Sequence, residues 1–375
     1  MIKLKTNQDI NQRVYFFDAM RAILILFIVI THIFQSFNPN ASWLIYNRND
    51  ITISPFVIDF LMLFTLQSFF IMSGYLAAMS IKKVGVQHFF DSRIKRVVIP
   101  ILFTALTFNS VQAYLLSQSK LIEITLYSYV IKGQWISHLW FLIDLAIFFL
   151  FSYFAVIFTS SIIKKANDLF NIIFEKFGLY TLLSLLAFVI LILTIIFSIL
   201  SPYIYNQIID IKSIFFYFPF FIFGTLLFNN QNIFKSFIDM PIIKTLFLTM
   251  FSISFSLYFK DATNDIEKIA YYFFDAISNI FSSALCFTFF NKFFNKKSKL
   301  FLFLADASFS IYLFHHLFVI AIGLLLINLN IGGYLGFFIL FGIIMLITLS
   351  IHHFLISKIT LLAFLYNGKE LKKEK

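Results

Sequence analysis

The chain has 375 residues, of which 60 % are hydrophobic and only 13 % charged, with a formal net charge of +11 and a mean hydropathy of +0.90. A water-soluble domain carries about 25 % charged residues, so a soluble enzyme or a string of soluble domains is excluded, and the basic balance does not call for nucleic acid as a partner. The lone cysteine, Cys286, excludes an intrachain disulfide.

Apolar runs of about 20 residues, each enough to cross roughly 30 Å of hydrocarbon, recur from end to end. Lipid cannot satisfy an open backbone, so each run is expected to be a helix. Spans are expected at 15–37, 55–80, 97–117, 138–163, 177–200, 213–228, 242–259, 268–290, 301–327 and 333–356. The fold class is therefore all-α, a polytopic membrane protein of about ten transmembrane helices, with one domain over 1–375. The first run is too long for a signal-peptide core and lacks a small-residue cleavage site, so it is expected to remain as an anchor.

Along the chain, polar residues interrupt these runs at a few places. The first span holds Asp18-Ala-Met-Arg21 and then Thr31-His32. Arg21 and His32 are three helical turns apart, on one face and separated by roughly 16 Å along the axis. Asp18 and Arg21 have the i,i+3 spacing of a pair. By the bland alternative, the Arg snorkels to the membrane surface and the His is hydrogen-bonded in the bundle. Ser73-Gly74-Tyr75 ends the second span, where Gly permits close helix approach. A basic loop with Lys82, Lys83, Arg93, Lys95 and Arg96 follows, closed by Pro100.

Residues 119–135 mix Lys120, Glu123 and Lys132 with Leu, Ile and Tyr, as in an amphipathic helix lying in the interface. The fourth span opens with His138-Leu-Trp140-Phe-Leu142 and then Asp144, and residues 164–176 are expected as a loop. The ninth span carries Ser308-Phe-Ser310-Ile-Tyr312-Leu-Phe-His315-His316. The pairs His315-His316 and His352-His353 diverge by about 100° on a helix, so no metal site is expected. Buried ionisable residues of this kind usually face a cavity or a partner.

With the N-terminus inside, Arg48, Lys120, Lys132, Lys212, Lys260 and Lys268 are the only basic residues in outer loops, and Arg21 and Lys244 fall within spans. The remaining Lys and Arg lie inside. That asymmetry implies an N-in, C-in topology and accounts for the net charge. The expected location is the inner (cytoplasmic) membrane of a bacterium, in contact with membrane lipids.

These residues together resemble the acyltransferase 3 family of integral-membrane acyltransferases. The resemblance rests on Arg21 and His32 with ten residues between them, on Ser73-Gly74-Tyr75, on the Arg-rich start of the third span with its Pro, and on Ser308-x-Ser310-x-Tyr312-Leu-x-His315. Within the family, Ile136–Leu142, Phe216–Gly224, Ala307–His316 and Leu361–Lys369 look most like the transferases that succinylate osmoregulated periplasmic glucans. One stretch departs: where that pattern has Phe-Arg-Met-Gln, this chain reads Phe64-Thr65-Leu66-Gln67, which leaves the identity of the acyl group open.

The resemblance implies a cytoplasmic acyl-CoA, succinyl-CoA in the first instance, as co-substrate and no permanently bound cofactor. It also implies a periplasmic glucan as acceptor and other glucan-biosynthesis proteins as partners. Arg93, Lys95 and Arg96 would meet the phosphates, against the alternative of purely topogenic charge. Arg21 would lie along the donor's path. His32, near the outer face, suits a base for the acceptor hydroxyl, and an acyl-His intermediate stays open. His138, Trp140, Asp144, Ser73, Tyr312, His315 and His316 are expected around the acceptor or the cavity. Trp140 would be a stacking plate or an interfacial anchor, and Asp144 would orient a His or pair with a cation. An O-acetyltransferase of O-antigen or another surface polysaccharide is the alternative within the family. A glycan or lipid transporter is the alternative outside it, although Pro100, Pro202, Pro219 and Pro241 show no paired placement in two halves.

Overall fold

The structure is a computed structural model and describes residues 13–40, 43–119, 124–200 and 210–369. Lys120, Glu123, Pro202, most of the outer loop 201–212, and Lys3, Lys5, Lys372, Lys373 and Lys375 lie outside the described residues. Among the described residues there is no strand. Among the described residues, ten helices are long and apolar enough to cross a membrane: Tyr15–Ser36, Ser54–Val84, Val86–Gln118, Ser137–Phe158, Ser161–Ile199, Ile211–Asn229, Ile242–Phe259, Asp265–Phe294, Lys299–Asn328 and Gly333–Ile356. Each contains or overlaps one expected span.

The first, eighth and ninth spans form the centre. Between 61 % and 67 % of their apolar windows is buried, against 22 % in the fourth and seventh. The first span packs chiefly on the ninth, with Ala19, Ala22, Leu24 and Val29 fully enclosed. Outer spans expose Phe151, Phe154, Phe247 and Met250, side chains suited to lipid contact. The second and sixth spans cross backbone to backbone. A Cβ on Gly74 would collide with the carbonyl of Phe221, and one on Gly224 with the carbonyl of Ile71. Glycine at both positions lets the helices approach this closely.

Several local features depart from plain helices, and they shape the site. The third span contains Pro100 and then a π-helical turn at Ala105–Asn109. The carbonyl of Ala105 accepts hydrogen bonds from the Ser110 hydroxyl (3.0 Å) and the Tyr129 hydroxyl (2.5 Å). Asn109 donates to the Trp135 carbonyl at 2.7 Å. The chain before the fourth span is thereby fastened to the third, and burial raises the pKa of the Tyr129 hydroxyl there. Among the described residues of this connection, 124–136, α-helix covers Leu126–Val130, one turn where an interfacial helix is expected over 119–135; 120–123 lie outside the described residues.

The tenth span ends in a second π-helical turn, Ile351–Ile356, followed by a short helix at Thr360–Asn367. Residues 164–176 are helical rather than a loop. They continue into the fifth span and are interrupted only at Gly178, where φ is 78°. Phe170 is buried on this stretch, so tertiary packing holds it as helix.

Candidate active site

A cavity of about 380 Å³ opens among the first, second, third, fourth and ninth spans and the C-terminal segment. Cationic side chains surround its mouth. Arg13 donates to both carboxylate oxygens of Asp18, at 2.7 and 3.0 Å, and that contact raises the pKa of the guanidinium. The expected Asp18–Arg21 pair therefore does not form, because the upstream Arg13 fork matches the carboxylate in both bonds. Arg21 also lines the cavity and makes no hydrogen bond or ion pair among the described residues.

Arg93 lies over the rings of Phe89 (5.4 Å) and Phe149 (5.6 Å), and its Nε has no hydrogen-bond partner. Arg96 joins the lining; Lys95 does not. Two residues after Arg93 on a helix, Lys95 points about 200° away and is exposed. Ser73 and Tyr312 line the same cavity, as do Asp306, Asn367 and Lys369. Opposite signs thus meet at the mouth, with arginines in excess.

Four histidines gather beyond Tyr312. The ring of His32 lies 5.3 Å from that of His315 and 4.9 Å from that of His316. His138 stacks on His316 at 4.7 Å and meets His315 at 5.4 Å. Trp43, from the loop after the first span, stacks on His32 at 5.8 Å. Adjacent residues on a helix do diverge, yet both His315 and His316 reach this cluster, because the first and fourth spans close on the ninth from two sides. Among the described residues, no three His, Cys, Asp or Glu side chains are arranged to hold a metal ion.

The hydrogen bonds determine which ring nitrogens carry protons. His32 Nδ1 is 2.8 Å from Gln35 Oε1, and His316 Nδ1 is 2.8 Å from Gln112 Oε1. An amide oxygen only accepts, so in this geometry each ring donates from Nδ1. His315 Nδ1 donates to the carbonyls of Ile311 and Tyr312 at 3.0 and 2.7 Å. Its Nε2 and both ring nitrogens of His138 are buried without a partner. Gln112 also donates to Ser137 Oγ at 3.0 Å. Ser137 has a φ of 46°, a strained value for a residue with a Cβ, and this turn aims His138 at the ninth span.

Tyr312 belongs to both places. It lines the cavity, its hydroxyl donates to the His138 carbonyl, and its ring lies 5.5 Å from His138. Phe141 lies 5.8 Å from Tyr312 and lines the cavity beside it. Two expected members are engaged elsewhere. Trp140 stacks on Tyr217 at 5.9 Å, and Asp144 accepts from Ser213 Oγ at 2.6 Å instead of meeting a His or a cation.

Gln35, Trp43, Gln112 and the Asp306–Lys369 pair were not among the expected site residues. Gln35 was findable, since it lies three residues beyond His32 on the same helix face; the others meet the site only through tertiary structure.

The profile of a family described as an acyltransferase domain matches residues 14–353. Glucans biosynthesis protein C of Escherichia coli strain K12 and that of strain SMS-3-5 are each 26 % identical over 383 aligned positions, covering 96 % of this chain and 96 % of each relative. No solved structure matches the chain.

Proposed function

The chain belongs to the acyltransferase 3 family, as a multi-pass membrane acyltransferase, and from that premise we propose that it transfers succinyl from cytoplasmic succinyl-CoA to hydroxyl groups of an osmoregulated periplasmic glucan. The relatives' role in glucan biosynthesis supports the acceptor. The distribution of basic residues supports an inner-membrane protein with both termini inside, which would turn the cavity mouth toward the cytoplasm. The observation that carries the reading is Tyr312, shared between an arginine-lined cavity and a cluster of imidazoles.

In this mechanism, Arg93 and Arg96 hold the phosphates of the donor and the thioester extends past Arg21 and Ser73 toward Tyr312. The acceptor hydroxyl approaches the four histidines from the other side. Nε2 of His32 takes the hydroxyl proton, and the oxygen attacks the thioester carbonyl. Collapse of the tetrahedral intermediate breaks the C–S bond, and the imidazolium returns its proton to the departing sulfur. The products are one ester and one thiol. Gln35 holds the imidazole in the tautomer this needs.

A second reading, acetyl transfer, draws on one observation. Thr65 donates to the Leu61 carbonyl at 2.6 Å and offers no charge for a donor carboxylate at that point. The test is transfer of label from radioactive succinyl-CoA and acetyl-CoA to purified glucan in proteoliposomes. Ester-bound label from succinyl-CoA is expected; label from acetyl-CoA alone selects the second reading, and none from either thioester overturns both.

A further inference from the structure

We propose that the C-terminal strap Asn367-Gly368-Lys369 completes the binding site of the anionic donor, with the Lys369 ammonium contacting a donor phosphate at the cavity mouth. This rests on the reading of the cavity as an acyl-CoA site.

Local structure fixes where the strap goes. The helix Thr360–Asn367 stops at Gly368, which has a φ of 57°. The Gly368 amide donates to the Phe364 carbonyl at 2.9 Å and the Lys369 amide to the Ala363 carbonyl at 3.1 Å. This left-handed ending reverses the chain direction. It also lays Gly368 against the third span so closely that a Cβ there would collide with the backbone of Lys95 and Arg96. Tyr366 secures the helix just before the strap. Its ring packs 5.2 Å from Phe314 and 5.8 Å from Phe108, and its hydroxyl lies 3.1 Å from Thr107 Oγ1.

The result is that Asn367 and Lys369 line the same cavity as Arg21, Arg93 and Arg96. Lys369 Nζ is 3.6 Å from Asp306 Oδ1, and the other carboxylate oxygen of Asp306 lies 3.3 Å from His352 Nε2. His352 is buried by the π-helical turn, with its Nδ1 2.9 Å from Ser310 Oγ; Ser310 in turn reaches Asn367 Oδ1 at 3.4 Å. Asp306 therefore keeps a second partner when Lys369 turns to a phosphate. The ammonium is half-exposed and its ion pair with Asp306 is long, so leaving it is cheap.

The test compares full-length wild type with Lys369→Ala and Lys369→Arg, using equilibrium binding of CoA and steady-state transfer from acyl-CoA and from acyl-pantetheine, which lacks the phosphates. Lys369→Ala should weaken CoA binding and raise KM for acyl-CoA roughly fivefold, with kcat within twofold. Lys369→Arg should recover most of this, and acyl-pantetheine should not distinguish the variants. Wild-type binding of CoA with no change in Lys369→Ala overturns the strap's role alone, as does an equal loss with acyl-pantetheine. Wild type that binds no CoA overturns the donor reading and the strap with it. Gly368→Ala, which must lift the strap off the third span, should weaken CoA binding at least as much.

Discussion

Nδ1 of His32 lies 2.8 Å from the amide oxygen of Gln35, one helical turn further along the first span. This bond engages Nδ1 on a ring that lies 5.3 Å from that of His315 and 4.9 Å from that of His316. Gln35→Leu removes the acceptor and releases the ring, so kcat should fall about tenfold or more while KM for acyl-CoA stays constant. Gln35→Glu retains an acceptor and should retain more activity than Gln35→Leu. Equal rates in wild type and Gln35→Leu would free His32 of any dependence on this contact.

His32→Ala should lower transfer by 10²–10⁴-fold, the usual cost of losing a general base. CoA binding and membrane insertion should be nearly unchanged, because in the proposed mechanism Arg93 and Arg96 would hold the donor's phosphates, and neither touches the His32 ring. A rate as high as one-tenth of wild type would show that another group accepts the proton.

The double substitution Arg93→Ala with Arg96→Ala should raise KM for acyl-CoA more than it lowers kcat. Contacts to phosphates remote from the acyl carbon hold ground state and transition state alike. Lys95→Ala, outside the cavity lining, should change neither constant more than twofold. Steady-state kinetics on protein of verified fold decides between a binding role and a purely topogenic one.

Gly74→Leu should reduce stability severely, and Gly74→Ala should already cost about 1–3 kcal/mol, the range for overpacking. The neighbour in the way is the backbone of the sixth span, which has no rotamer to change. Thermal unfolding in detergent reads this directly. A Tm equal to wild type for Gly74→Ala would mean that the two helices separate more easily than their packing indicates.

Reporter fusions after residues 90 and 295 should report cytoplasm, and fusions after residues 50 and 263 should report the outer side. The positive-inside asymmetry requires this pattern for ten spans. One reversed interior reporter breaks the proposed orientation.

Hydropathy made the spans legible because bilayer thickness demands a nearly constant apolar length. It says nothing about helix outside that thickness, and so the charged stretch 164–176 reads as a loop although it packs Phe170 as helix. Spacing within one helix separates Arg21 and His32 by three turns, and the structure has Arg21 in the cavity lining and His32 in the imidazole cluster. Spacing misjudged Asp18, because a pairing rule for i,i+3 neighbours cannot weigh the competing guanidinium of Arg13. The convergence of His32 and His138 on His315 and His316, and the meeting of Asp306 with Lys369 across 63 positions, depend on how separate helices close. No local pattern encodes that closure.

Phe141 and Tyr312 line the cavity side by side, and Tyr312 borders the imidazoles at His138; their position bears on bioenergetics as much as on catalysis. A membrane that stores a proton gradient cannot host a continuous thread of water, and packed aromatic side chains interrupt such a thread by excluding it. Here the packed rings border both a cluster of imidazoles and a cavity lined by guanidinium charge. On the proposed reading, the same two rings that border the meeting place of acyl carbon and hydroxyl oxygen would also keep the bilayer insulated there.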